Sequence, residues 1–114
     1  MNNKEQRGRL FVVATPIGNL ADITYRAVET LRKVDAIIAE DSRHSGRLLD
    51  HYDIDTPFTL SYYQGAGKER RDELIEKLLQ GQDLALISDA GTPLISDPGF
   101  KLVRKARDEG IEVI

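Results

Sequence analysis

Short apolar runs alternate with helix-like segments along the chain, and this alternation constrains the fold more than any other feature. The runs are nearly all apolar, which is typical of strands that are covered on both faces. They predict strands at residues 10–15, 35–40, 57–62, 83–88 and 111–114. The segments between them repeat apolar residues at helical spacing. The order indicates an α/β domain with an open, mostly parallel five-stranded sheet and helices on both faces.

Helices are predicted over residues 23–34, 42–51, 68–79 and 100–109. Asp22 is a candidate N-cap for the first helix, because a short polar side chain before a helix can accept a backbone hydrogen bond. Gly81 and Gly110 follow the last apolar residues of the third and fourth helices, which is typical of helix C-termini.

Length and charge exclude several classes of protein. With 114 residues the chain forms one domain at most. A net charge of −3 disfavours a strongly basic nucleic-acid binder but leaves room for a local basic patch. No cysteine is present, so disulfides and thiolate metal sites are excluded. No apolar stretch approaches the roughly 18 residues of a membrane span, and a cytoplasmic protein is expected.

The two ends of the sequence set the expected domain boundaries. Residues 1–9 are polar and lack the apolar region of a signal peptide, so they predict a disordered leader before a domain at 10–114. The last residues, 111–114, form an apolar strand without a turn or polar tail. This pattern favours a fragment of a longer protein; a true C-terminal edge strand is the alternative.

The run from Ser88 to Gly99 directly follows the apolar stretch 84–87 and is rich in Gly, Pro, Ser and Asp. Its prolines restrict φ, while its glycines permit close backbone approach. Ligands of open α/β sheets bind at the carboxyl ends of strands. The run therefore predicts a binding loop, with a rigid Ω-like turn as the alternative. Asp89 and Asp97 could accept hydrogen bonds from ribose hydroxyls.

A second polar loop follows the first predicted strand. Pro16 pushes Thr15 to an extended conformation, and Gly18 leaves room for a ligand beside the backbone. A tight turn before the next helix explains the loop equally well. Neither a dinucleotide fingerprint nor a Walker A loop is present, which disfavours both familiar phosphate cradles.

A third polar cluster, residues 40–44, follows the second strand and combines two acids, a hydroxyl, a guanidinium and an imidazole. Asp41 or Ser42 could simply cap the next helix. Capping does not account for Arg43 and His44, and a guanidinium suits bidentate contact with phosphate or carboxylate. Residues 61–67 form a further loop after the third strand, whose two tyrosines could stack on a base or pack in the core.

Three of these runs carry a family resemblance: TPIGNLADITYRA at 15–27, EDSRH at 40–44 and SDAGTPLISDPG at 88–99. The chain resembles the tetrapyrrole methylase-like (class III) S-adenosylmethionine-dependent methyltransferases, and among them the branch that modifies ribosomal RNA. The resemblance covers residues 10–114. It implies 2′-O-methylation of a cytidine ribose in small-subunit rRNA with S-adenosyl-L-methionine as cofactor. It also implies that the chain is the N-terminal half of a two-domain protein, that the full-length protein is a homodimer, and that the small ribosomal subunit is its partner. No metal is expected, because no ligand-spaced His or Glu accompanies Asp89 and Asp97.

The resemblance also assigns roles to individual residues. The cofactor would be bordered by Pro16, Gly18, Ser88, Asp89, Ala90, Gly91, Thr92, Pro93, Ser96 and Asp97. Asp41, Arg43 and His44 would meet the RNA. Because a ribose hydroxyl is a poor nucleophile, methylation needs a general base; Asp41 is one candidate, and a residue of the missing C-terminal half is the alternative. The chain departs from the family at residues 65–67, where Gly-Ala-Gly replaces a His-Asn-Glu-like run, which leaves any substrate contact of that loop in doubt.

Two other functions stay open at this point. One is methylation of a tetrapyrrole or another small molecule on the same scaffold. The other is a noncatalytic α/β module that binds a nucleotide or a partner protein. Binding of S-adenosylhomocysteine separates the module from the enzymes.

Overall fold

The structure, a computed structural model, describes residues 7–15, 23–39, 42–61, 67–89 and 99–114. Strands and helices alternate along these residues as the apolar pattern predicts. The strands are β1 (Leu10–Thr15), β2 (Ala36–Ala39), β3 (Phe58–Ser61) and β4 (Leu84–Asp89). The helices are α1 (Tyr25–Lys33), α2 (Ser42–His51), α3 (Gly67–Leu79) and α4 (Gly99–Asp108).

Within the described residues the strands form a four-stranded sheet in the order β1-β4-β2-β3, and every pair is parallel. The α/β class and the parallel sheet are confirmed. The predicted fifth strand at 111–114 is wrong as a regular strand, because Val113 forms only an isolated parallel bridge with Leu10. Backbone bonds of 2.9 Å from Leu10 N to Glu112 O and from Val12 N to Ile114 O still hold this segment beside β1.

Two apolar clusters lie on opposite faces of the sheet, and the strand residues divide between them by parity. Leu84 and Leu86 pack with α3 and α4, whereas Ala85 and Ile87 pack with α1 and α2. A strand residue and its successor point to opposite faces, so a strand covered on both sides needs an unbroken apolar run. Each fully buried leucine stabilises the fold by about 1.5–3 kcal/mol. Helices on both faces are confirmed.

The helix termini agree with the sequence in part. Gly81 and Gly110 have φ values of 102° and 78°, the left-handed region that glycine adopts without strain, and both follow a helix end as predicted. The N-cap of α1 is Thr24, whose side chain accepts a 3.0 Å hydrogen bond from the amide of Ala27. The prediction of Asp22 as this cap is therefore wrong, since the first helical turn starts two residues later than the apolar pattern indicates; Asp22 itself lies outside the described residues.

Residues 7–9 of the predicted leader are held by hydrogen bonds. The amide of Gly8 donates to the carbonyl of Leu78 over 2.7 Å, and the amide of Arg9 donates to the Asp83 carboxylate over 2.8 Å. The Arg7 guanidinium donates to the carbonyl of Glu109 over 2.9 Å. These three residues thus belong to the folded domain, and residues 1–6 lie outside the described part of the chain.

Candidate functional site

The carboxyl ends of the four strands define one edge of the sheet. In the β1–β4 pair, Ala14 is level with Ser88 and Thr15 with Asp89. In the β2–β3 pair, Ala39 is level with Ser61. Because all strands are parallel, the segments that follow them leave from the same edge. The sequence motifs at 15–20, 40–44 and 88–99 therefore begin at one side of the molecule.

The strand order opens a crevice at the end of β4. After β1 and β2 the chain turns to the face covered by α1 and α2, but after β4 it turns to the opposite face covered by α4. β4 lies between β1 and β2, so its loop diverges from both neighbours. Such divergence is the topological switch point at which open α/β sheets bind ligands.

This order brings together the three motifs that carry the family resemblance. With strands about 4.8 Å apart, the ends of β1 and β2 lie about 10 Å from each other across β4. β3 is one strand further from β4, on the far side of β2. The loop after β3, which contains the departing Gly-Ala-Gly run, therefore starts furthest from the crevice.

The structure describes the backbone of a few predicted site residues. Ser88 and Asp89 are the last two residues of β4, at the centre of the edge. Arg43 and His44 lie in the first turn of α2, which starts at this edge close to the end of β2. The other predicted site residues lie outside the described residues: Pro16, Gly18, Asp41, Ala90, Gly91, Thr92, Pro93, Ser96 and Asp97.

The residue types at the edge fit an adenosyl amino acid. Small residues lie at or next to the ends of these strands: Ala39 is the last residue of β2, and the level pair Ala14 and Ser88 precede the last residues of β1 and β4. Small residues allow a ligand to approach the backbone, and Asp89 supplies a carboxylate of the type that accepts hydrogen bonds from ribose hydroxyls. These residue types are compatible with a nucleoside at this edge.

The sequence reasoning singled out neither of two further features. A groove of about 570 Å³ runs along α1 beside Phe11, and it includes Tyr25 and Ile114, whose side chains are 79% and 53% exposed. Four of the ten residues of α4 are cationic, and the signal for this was visible in the spacing of Lys101, Arg104 and Arg107.

Two kinds of feature are absent from the described residues. No three His, Asp or Glu side chains there lie close enough together to hold a metal ion. In the same part of the chain, no helix has the length and apolar character to cross a membrane.

Comparison with known proteins identifies related sequences. The family model described as Tetrapyrrole (Corrin/Porphyrin) Methylases matches residues 9–114. The chain is 60% identical over 107 residues to "Ribosomal RNA small subunit methyltransferase I" of Haemophilus influenzae, covering 94% of the chain and 38% of that protein. The protein of the same name from Escherichia coli O157:H7 is 51% identical over 108 residues, which is 95% of the chain and 37% of that protein. The chain thus spans about two fifths of the length of these relatives.

Solved structures share the fold at low sequence identity. Diphthine synthase superposes with a TM-score of 0.72 at 15% identity, over 93% of the chain and 42% of that structure. Uroporphyrin-III-C-methyltransferase from Thermus thermophilus superposes with a TM-score of 0.70 at 19% identity, over 94% of the chain and 46% of that structure. Both confirm the α/β architecture.

Proposed function

Because this chain belongs to the tetrapyrrole (corrin/porphyrin) methylase family, we propose that it forms the cofactor-binding part of an S-adenosylmethionine-dependent methyltransferase. The substrate of the full-length enzyme is the 2′-hydroxyl of a cytidine ribose in small-subunit rRNA. The crevice at the end of β4 is the observation that carries the proposal, since three motif-bearing segments leave the sheet there from adjacent strands. The choice of rRNA rests on the 49–60% identity to relatives named for small-subunit rRNA methylation.

The chain's residues act on the cofactor mainly by positioning it. Pro16 and Gly18 border the cofactor on the β1 side. On the β4 side it is lined by the segment from Ser88 to Pro93, with Ser96 and Asp97 close by. S-adenosylmethionine supplies an activated methyl group on its sulfonium, so the protein has to align the ribose oxygen and exclude water. Backbone amides and the Asp89 carboxylate suit the nucleoside and amino-acid ends of such a molecule.

Substrate contacts come from the segment that leads into α2. Asp41 precedes α2 directly in sequence and accepts the proton of the ribose hydroxyl as general base. Arg43 binds a phosphate of the RNA, for which a guanidinium is well shaped. His44 contacts the RNA beside it.

The full-length protein contains a further C-terminal domain that completes the cleft, in keeping with relatives more than twice as long as this chain. It is a cytoplasmic homodimer that acts on the small ribosomal subunit. Light scattering after size-exclusion chromatography measures the dimer, and a monomeric mass would contradict it.

The activity is tested with the full-length protein, S-adenosylmethionine carrying a tritiated methyl group, and small ribosomal subunits from a strain that lacks the gene. We expect label in rRNA at one nucleotide that resists alkaline cleavage, because a 2′-O-methyl group blocks attack by the ribose oxygen. Primer extension on the same RNA locates the nucleotide. Subunits from the parent strain, already methylated, serve as the control and accept no label.

Other outcomes would reject the proposal in distinct ways. Label in an added tetrapyrrole and none in RNA would assign the small-molecule branch of the family. If the full-length protein does not bind S-adenosylhomocysteine in calorimetry, the result would indicate a noncatalytic α/β module and not a methyltransferase.

A further inference from the structure

Helix α4 carries a net positive charge in an acidic chain. The protein has 16 Lys and Arg residues against 19 Asp and Glu. Within α4 itself, four cations stand against the single acid Asp108. Lys105 is paired with Glu109, its Nζ atom lying 3.2 Å from Oε2. This concentration of charge on one helix is not explained by the packing of the core.

The cationic side chains lie on the outer face of the helix. Leu102, Val103 and Ala106 are buried against the sheet, whereas Arg104 and Arg107 are exposed. Within the described part of the chain, neither arginine has an acidic partner. Among these residues, no carboxylate competes with an anion from solution for the two guanidinium groups.

The position of α4 links this face to the proposed cleft. The helix starts at Gly99, where the loop that follows β4 ends. With a rise of 1.5 Å per residue, Arg104 and Arg107 lie about 8 and 12 Å along the axis from that start. Arg104 therefore lies in the middle of α4 and Arg107 near its far end, so RNA that continues from the cleft along α4 would pass both side chains.

We propose that the outer face of α4, through Arg104 and Arg107, binds the phosphate backbone of the RNA next to the methylation cleft. The inference rests on the proposed function and adds the surface that holds the substrate. Phosphate contacts position a nucleic acid without reading its sequence, and arginine is well suited to them. This face thus supplies affinity, while the cleft selects the nucleotide.

The test measures the affinity of the full-length protein for small ribosomal subunits at several salt concentrations between about 50 and 200 mM. Each phosphate contact contributes about one unit to the slope of log Kd against log salt. The double variant Arg104→Gln/Arg107→Gln is therefore expected to lower that slope by about two. The affinity for S-adenosylhomocysteine should stay unchanged, and Arg104→Lys/Arg107→Lys should restore the slope.

A matched control removes the same charge from the other side of the sheet. Arg26 and Lys33 are exposed on α1, which packs on the face opposite α4. Arg26→Gln/Lys33→Gln should leave the slope as in the unchanged protein. An equal fall in both double variants would overturn the inference, because it would reflect net charge alone. The inference would also be overturned if Arg104→Gln/Arg107→Gln left the slope unchanged. It would be overturned as well if that variant changed the oligomeric mass of the protein and not the slope. If the unchanged protein fails to bind RNA at all, the proposed function falls as well.

Discussion

Thr15 and Asp89, the last residues of β1 and β4, are level with each other in the parallel register of the sheet. They are 74 positions apart in sequence, yet their backbones are neighbours at the edge where both strands end. The loop after β1 and the loop after β4 therefore start side by side. The cofactor-binding role proposed for these two loops depends on this juxtaposition.

Gly91→Val in the full-length protein is expected to weaken cofactor binding at least tenfold without unfolding the domain. If the loop after β4 lines the cofactor as proposed, a branched side chain at position 91 would occupy space that the cofactor needs. Overpacking costs about 1–3 kcal/mol, and about 1.4 kcal/mol corresponds to tenfold in affinity. Calorimetry with S-adenosylhomocysteine measures the affinity, and circular dichroism checks the fold. Unchanged affinity would contradict the assignment of this loop.

Arg43→Ala is expected to weaken RNA binding by about tenfold or more while cofactor affinity stays constant. A charge-assisted hydrogen bond contributes roughly 1.5–3 kcal/mol, and truncation removes it. Filter binding of small ribosomal subunits measures the first quantity and calorimetry the second. Loss of both affinities would indicate that Arg43 supports the fold of α2 instead.

Gly8→Ala is expected to destabilise the protein by about 1–3 kcal/mol. Gly8 is buried, and a β-carbon there would collide with the backbone carbonyl of Gln82. A backbone atom cannot shift as easily as the end of a flexible side chain. Urea unfolding measures the loss.

Gly46→Ala is the control: a β-carbon at Gly46 in α2 would meet nothing within 4 Å. That change should stabilise the protein by about 0.5–1 kcal/mol. Equal effects of the two changes would argue against the close approach at Gly8.

Thr24→Ala is expected to lower the free energy of unfolding by about 1 kcal/mol. The change removes the acceptor of the hydrogen bond from the Ala27 amide at the start of α1. Thr24→Ser keeps a hydroxyl and should retain most of the stability in the same urea titration. Equivalent losses in both variants would show that the methyl group of Thr24 matters and the cap does not.

Local patterns were sufficient for most of the secondary structure. The predicted bounds of β1 and α2 are those observed, and the other named strands and helices differ by one or two residues at their ends. The C-terminal segment was harder to predict, because an apolar run indicates burial but not the number of bridges that it forms. Of the site, the sequence indicated the segments that carry the chemistry, through their glycines, prolines and acids. It could not indicate the charged outer face of α4 as a site, because cations on a helix are usually just solvated.

The sequence by itself determined the α/β class, the strands that are buried on both faces and the family motifs, because hydrophobic period and residue type are local properties. Only the tertiary structure decided that β4 inserts between β1 and β2. Strand order depends on pairing between residues far apart in the chain, and no local pattern encodes it. Because β4 lies between β1 and β2, the three motif-bearing segments start from adjacent strands. The chain leaves β4 toward one face of the sheet and leaves β1 and β2 toward the other, and this divergence opens the crevice.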